Sequence, residues 1–207
     1  MSFTIIKHPL IIDKLTRMRK VETSSKDFRE NLNEIGQLMV YEIFRDMPLK
    51  EVDIETPVTK TKGYTIDVPV VLIPIIRAGL GMTEGIQKLV PTARIAHIGL
   101  YRNEETLEPV EYYAKKTKNI ENSYVIVVDP MLATGGSASK AIEIAKGWGA
   151  KQIKFVCLVS VKEGIEKLQK DHPDVEIYTA SLDPILNEDG YIVPGLGDAG
   201  DRIFGTK

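Results

Sequence analysis

The spacing of apolar positions changes character along the chain. Phe28, Leu32, Ile35, Met39 and Ile43 recur every three or four residues, which predicts an amphipathic helix over residues 26–46. Ser24 followed by Asp27 resembles a capping box at its start, and Pro48 is expected to close it. Beyond this helix, short continuous apolar runs take over. They are VPVVLIPII (68–76), RIAHIGLYR (94–102), SYVIVVD (123–129), IKFVCLVSV (153–161) and VEIYTAS (175–181), and each reads as a strand. Helical stretches alternate with them: TEGIQKL after the first run, residues 133–150 ending near Gly147 and Gly149, and a segment reaching about Lys170. Buried strands alternating with helices predict an α/β fold with a central, mostly parallel sheet flanked by helices. In such sheets ligands sit at the carboxyl ends of the strands. Residues 102–123 are polar and lack a long apolar face, so a surface hairpin or flap is expected there.

Composition narrows the class. With 207 residues, 43% hydrophobic and 27% charged, the chain suits one globular domain over residues 1–207. The net charge of -2 argues against a protein that coats nucleic acid, although a local basic pocket for an anion stays open. The amino terminus lacks the pattern of a signal peptide, and no apolar run is long enough to cross a bilayer, so a cytoplasmic protein without membrane partners is expected. The single cysteine, Cys157, lies in a strand pattern and reads as a packed thiol. His8, His97 and His172 have no partner at metal-ligand spacing, so no protein-held metal site is expected.

The most informative run is VIVVDPMLATGGSASKA (125–141), in which an apolar strand ends at Asp129 and a helix opens after Thr134, Gly135, Gly136 and Ser137. Glycines let backbone N–H groups approach an anion, and the helix start adds unpaired donors and a positive dipole end. The run therefore reads as a monophosphate cradle. It is not a triphosphate loop, which needs a lysine directly after the glycines. A Gly-rich turn that binds nothing is the alternative. A second run, IPIIRAGLGMTEG (73–85), ends a strand at Arg77, and Arg102 ends the next strand in the same way. Guanidinium forks match phosphate oxygens, so both arginines are candidates for a diphosphate. The carboxyl end, GYIVPGLGDAGDRIFGT (190–206), is rich in glycine and apolar residues with Asp198 and Asp201 embedded, which predicts a packed segment. Within it GLGDAG matches the dinucleotide fingerprint in spacing only, because no further strand and acid can follow.

These three runs, in this order, resemble the uracil phosphoribosyltransferase family. VVDPMLATGGSA is similar to the binding signature for phosphoribosyl pyrophosphate (PRPP), and YIVPGLGDAGDR is similar to the uracil-binding segment. The resemblance implies one phosphoribosyltransferase-type domain, capped by the N-terminal helix, a flap hairpin and the C-terminal segment. It implies PRPP contacts from Arg77, Arg102, Asp129, Pro130, Met131, Leu132, Ala133, Thr134, Gly135, Gly136, Ser137 and Asp198. Uracil contacts are implied at Ile192, Gly197, Asp198 and Ala199. Arg77, Arg102 and Asp198 are the catalytic candidates, Asp198 being the nearest to a general base. Pro130 stands where most of the wider superfamily has a second acid, so Mg²⁺ is expected to arrive bound to PRPP. A homodimer or homotetramer and a GTP activator are further implications. The rival readings are transfer to another base, or an RNA-binding pyrimidine regulator on the same fold.

Overall fold

The computed structural model describes residues 2–103 and 108–206. The chain opens with β1 (Phe3–Ile5), α1 (Pro9–Arg19), α2 (Ser25–Ile43), β2 (Leu49–Glu55) and β3 (Lys60–Ile66). It continues with β4 (Val70–Ile76), α3 (Leu80–Leu89), β5 (Arg94–Ile95), β6 (His97–Arg102) and β7 (Pro109–Lys115). Then come β8 (Tyr124–Val128), β9 (Met131–Leu132), α4 (Gly136–Gly147), β10 (Gln152–Ser160), α5 (Lys162–Asp171) and β11 (Glu176–Leu182). It closes with β12 (Ile185–Leu186), β13 (Ile192–Val193) and α6 (Ala199–Phe204).

The main sheet runs β1-β11-β10-β8-β4-β6-β7, with β5 beside β4 and β9 beside β10. Every pairing along it is parallel except that of β7, which returns antiparallel against β6. The expected α/β architecture is therefore present. Strand residues alternate between two apolar layers, as a period of two requires. Leu72, Ile126, Val128, Val156 and Leu158 face α1, α2, α3 and α6. Val71, Ile73, Val125, Val127 and Phe155 face α4 and α5. Both faces being covered explains why these strands read as continuous apolar runs.

Several boundaries differ from the sequence expectation. The first long helix ends at Ile43, ahead of both Asp46 and Pro48, because Phe44 already leaves helical geometry as its cap. Ser24 does cap it, accepting from the Asp27 backbone at 3.1 Å, but the Asp27 carboxylate takes the Ser24 hydroxyl rather than its N–H. The run at 94–102 is broken at Ala96 into β5 and β6. The polar stretch after Arg102 does form a hairpin, through the β6–β7 pairing, while residues 104–107 lie outside the described chain. An exposed ribbon, β2 with β3, was not expected at all. Its strands mix charges with apolar residues that stay exposed instead of forming a buried face, and Lys62 bridges to Asp53 at 2.6 Å across them.

On the opposite layer, α2 and α3 cross closely. A Cβ placed on Gly85 would lie 2.1 Å from the Asn33 backbone oxygen, so the crossing depends on that bare position. Backbone cannot yield as a flexible side chain does. Gly85→Ala is expected to destabilise the protein by about 1–3 kcal/mol through overpacking, read as a lower urea midpoint with an unchanged slope.

Candidate active site

The crossovers from β4 and β8 diverge. The chain leaves β4 through α3 toward β5 and β6, and leaves β8 through α4 toward β10. The two helices pack on opposite faces of the sheet. At such a switch point the loops part and leave a crevice beyond the strand ends. Arg77 follows β4 here across a cis peptide from Ile76, and Asp129 follows β8. A cavity of about 250 Å³ occupies the crevice. Its lining includes Asp129, Met131 and Ala133 from the middle of the chain, Ile192, Gly197, Asp198 and Ala199 from its end, and Ala78. The middle and the end of the chain thus meet in one hollow.

The loop after Asp129 alternates. Pro130 and Leu132 turn inward, where Leu132 joins the core and the Pro130 carbonyl accepts from Leu158 and Val159. Met131 and Ala133 turn to the cavity. Thr134 and Ser137 are exposed. Gly135 holds a left-handed φ of 80°, and α4 begins at the next residue. Among the described residues, none of the backbone N–H groups from Ala133 to Ala138 donates to a carbonyl or a side chain. The first acceptor regained is Gly135 O, from Ser139 at 2.9 Å. Six successive unpaired donors at a helix start can hold an anion. Gly164 of α5 seats the loop from behind, since a Cβ there would fall 2.3 Å from the Ala133 oxygen. Sequence reasoning missed Gly164, which sits in an ordinary helical pattern.

Arg77 is half-exposed and donates to Asp201 at 3.1 Å and to Thr206 at 3.4 Å. The carboxyl-terminal segment therefore folds over the end of β4, and Asp201, noted in the sequence without a role, orients the guanidinium. Asp198 caps α6 by accepting from the Asp201 N–H at 2.9 Å. That geometry disposes of the dinucleotide match, because the glycines lead into a helix of only 6 residues. Arg102 ends β6 on the same edge, but its side chain lies outside what the structure describes. The residues present do not make a metal site: among those described, no group of three or more His, Cys, Asp or Glu side chains could hold an ion.

Burial pushes the Asp129 carboxyl up to about 7, against a smaller downward pull from the Met131 backbone N–H. A carboxylate raised in the folded state binds its proton more tightly there than in the unfolded chain. Stability is then full at low pH and falls as pH rises from about 4 toward 7, by up to about 1.4 kcal/mol per unit. Asp129→Asn removes this dependence. Thermal unfolding of the ligand-free pair should coincide near pH 4 and diverge toward pH 7.5, with the variant the more stable; parallel curves would contradict the burial argument.

Comparison with known proteins agrees with this geometry. The family model described as uracil phosphoribosyltransferase matches residues 5–206. The uracil phosphoribosyltransferase of Mycoplasma capricolum is 78% identical over 207 residues, all of both chains. That of Mesoplasma florum is 74% identical, again over all of both chains. The solved structure of the AQ2163 protein from Aquifex aeolicus superposes with a TM-score of 0.94 at 35% identity, over 99% of each chain. Hypoxanthine phosphoribosyltransferase from Trypanosoma cruzi, at 14% identity and a TM-score of 0.52, covers 79% of this chain and 77% of its own, and shares the fold alone. With the match running through the cradle, the arginine turn and the carboxyl-terminal segment, the chain belongs to the uracil phosphoribosyltransferase family.

Proposed function

We propose that the chain acts as one domain over residues 1–207 and transfers the phosphoribosyl group of PRPP to a uracil nitrogen. The bond from the anomeric carbon to diphosphate breaks, a bond to nitrogen forms, and the uracil N–H proton is lost. UMP and diphosphate are the products, which places the reaction in UMP salvage. The observation that carries this reading is the row of unpaired N–H groups from Ala133 to Ala138 beside a cavity walled by the carboxyl-terminal segment.

The 5′-phosphate rests on that row, with the Thr134 and Ser137 hydroxyls as added donors. The ribose hydroxyls lie against Asp129, whose carboxyl titrates near neutrality and so can either donate or accept. Diphosphate lies along Arg77 and Arg102, where preorganised positive charge meets the charge that develops on the leaving group. Uracil sits between Ile192 and Gly197–Ala199 and is read by backbone N–H and C=O groups, with Asp198 the nearest acceptor for its proton. Holding both reactants in line supplies much of the acceleration. Magnesium enters with PRPP, held by substrate and water oxygens, and supplies charge neutralisation there. A cytoplasmic setting, activation by GTP and assembly into a dimer or tetramer belong to the same proposal. Leu49, Ile54, Tyr64 and Ile66 stand exposed on the β2–β3 ribbon, which favours assembly.

The deciding assay is PRPP-dependent turnover of uracil, cytosine and hypoxanthine, with magnesium and with a chelator. Uracil alone should turn over, only with metal, and cytosine should be slower by about a thousandfold or more, since it would bury mispaired backbone groups. Gly136 offers a sharper test. A Cβ there meets nothing nearer than Pro109 at 3.8 Å, so Gly136→Val should fold normally. Its side chain would cover the N–H row and weaken PRPP by about a hundredfold or more, as expected for losing two charge-assisted hydrogen bonds, measured by calorimetry. Ala199→Trp should fill the base position, abolish uracil turnover and leave PRPP affinity within about tenfold.

A further inference from the structure

Between Ile192 and Gly197 the carboxyl-terminal segment turns sharply, through a cis Val193–Pro194 peptide and Gly195 at a φ of 59°. No side chain of that turn enters the core deeply enough to fix it by packing alone, apart from Ile192 and Leu196 at its flanks. Its midpoint is held by polar groups instead. The Gly195 N–H donates to Asp183 Oδ2 at 2.9 Å, and the Gly195 carbonyl accepts from Arg19 Nη1 at 2.7 Å. Arg19 and Asp183 are themselves joined by a fork at 2.7 Å on each arm. Ser181 closes the group, donating to Asp183 at 2.7 Å and accepting from Arg19 at 3.1 Å. Asp183 is buried, with 3% of its side chain exposed, and its carboxylate accepts from Arg19, Ser181 and the Gly195 N–H. Burial alone would raise its pKa, but the bonds from Arg19, Ser181 and Gly195 prevail and hold it below the ordinary carboxylate range. A buried, forked, fully bonded pair is costly to assemble and rigid once made.

We infer that Arg19 and Asp183 are positioning residues that set base selectivity by clamping both polar groups of Gly195, between the two stretches that would read uracil. Neither residue borders the cavity, so neither meets substrate. Arg202 reinforces the arrangement from the other direction. It donates to the carbonyls of Met18, Lys20 and Leu196 and lies over the Phe28 ring at 4.5 Å. The end of α1 and the reading segment are thereby fixed to each other. Backbone readers discriminate only if their donors and acceptors cannot rotate to suit the wrong base. The phosphate cradle opens α4 and receives no hydrogen bond from Arg19 or Asp183; its link to the clamp runs through β10, where Ser160 accepts from the Asp183 N–H and pairs with Leu132.

This inference rests on the base position proposed above. Its test uses Arg19→Lys, which keeps the charge but loses the fork, and Asp183→Asn, which keeps the shape but loses the charge. Wild type must first turn over uracil; if it does not, the functional reading fails and the clamp is not at issue. Given that activity, both variants should raise the uracil KM by about tenfold or more and lower uracil-over-cytosine discrimination by a similar factor, the scale of a lost charged hydrogen bond. PRPP affinity by calorimetry should stay within about threefold. Should Asp183→Asn fail to fold, Arg19→Lys with Ser181→Ala as a milder companion still decides the matter. Equal losses for uracil and PRPP, or unchanged discrimination in folded variants, would overturn the clamp.

Discussion

The structure depends on one constraint: the helices that follow β4 and β8 must pack on opposite faces of the sheet. Both strands are buried on both sides, so neither can shift without opening an apolar layer. Their connections therefore part at a fixed place, and the parting is the crevice. Arg77 and Asp129 inherit their positions from it. The carboxyl-terminal segment completes the hollow because Arg77 reaches Asp201 and because Leu196 and Ile203 join the core. Loops thus carry the chemistry, while the layers beneath them supply the precision.

The electrostatics of the hollow are unequal. The loop after β8 brings Asp129 and a row of backbone N–H groups without partners, and the carboxyl-terminal segment brings Asp198 to the cavity and Asp201 to Arg77. Unpaired donors near a surface are tolerable in water, but they become strong once water is displaced. A raised carboxyl at Asp129 has the opposite sense, since it lessens the negative charge met by an arriving anion near neutral pH. An anionic ligand thus finds donors in place and repulsion reduced before any rearrangement.

Much of this was legible in the sequence, and the reasons differ by element. Continuous runs such as VVLIPII announce strands covered on both faces, and the period of Phe28, Leu32 and Ile35 announces a helix. The cradle was legible because a strand-end acid, glycines and a helix start occur in one short window. The β2–β3 ribbon was not, because its pattern is set by charge pairs across strands rather than by a buried face. Pro130 and Leu132 fall within the signature by position, yet both are buried and Leu132 serves the core, a distinction that only the pleat reveals. The bonds from Arg19 to Asp183 span 164 residues, and nothing local in either stretch marks them as partners. Gly164 was hidden for the same reason, its need arising from a carbonyl on another element.

Cys157 lies mid-strand in β10, with no exposed surface and its thiol pushed up to about 12, chiefly by burial. It is the chain's one cysteine. A thiol so protonated and enclosed is a poor nucleophile toward oxidants and alkylating agents. The folded protein is in effect a cysteine-free scaffold. A single cysteine introduced on the β2–β3 ribbon or at the cavity rim would carry a spin label or fluorophore with little competing reaction from within, so the movements of those loops can be followed in the wild-type core.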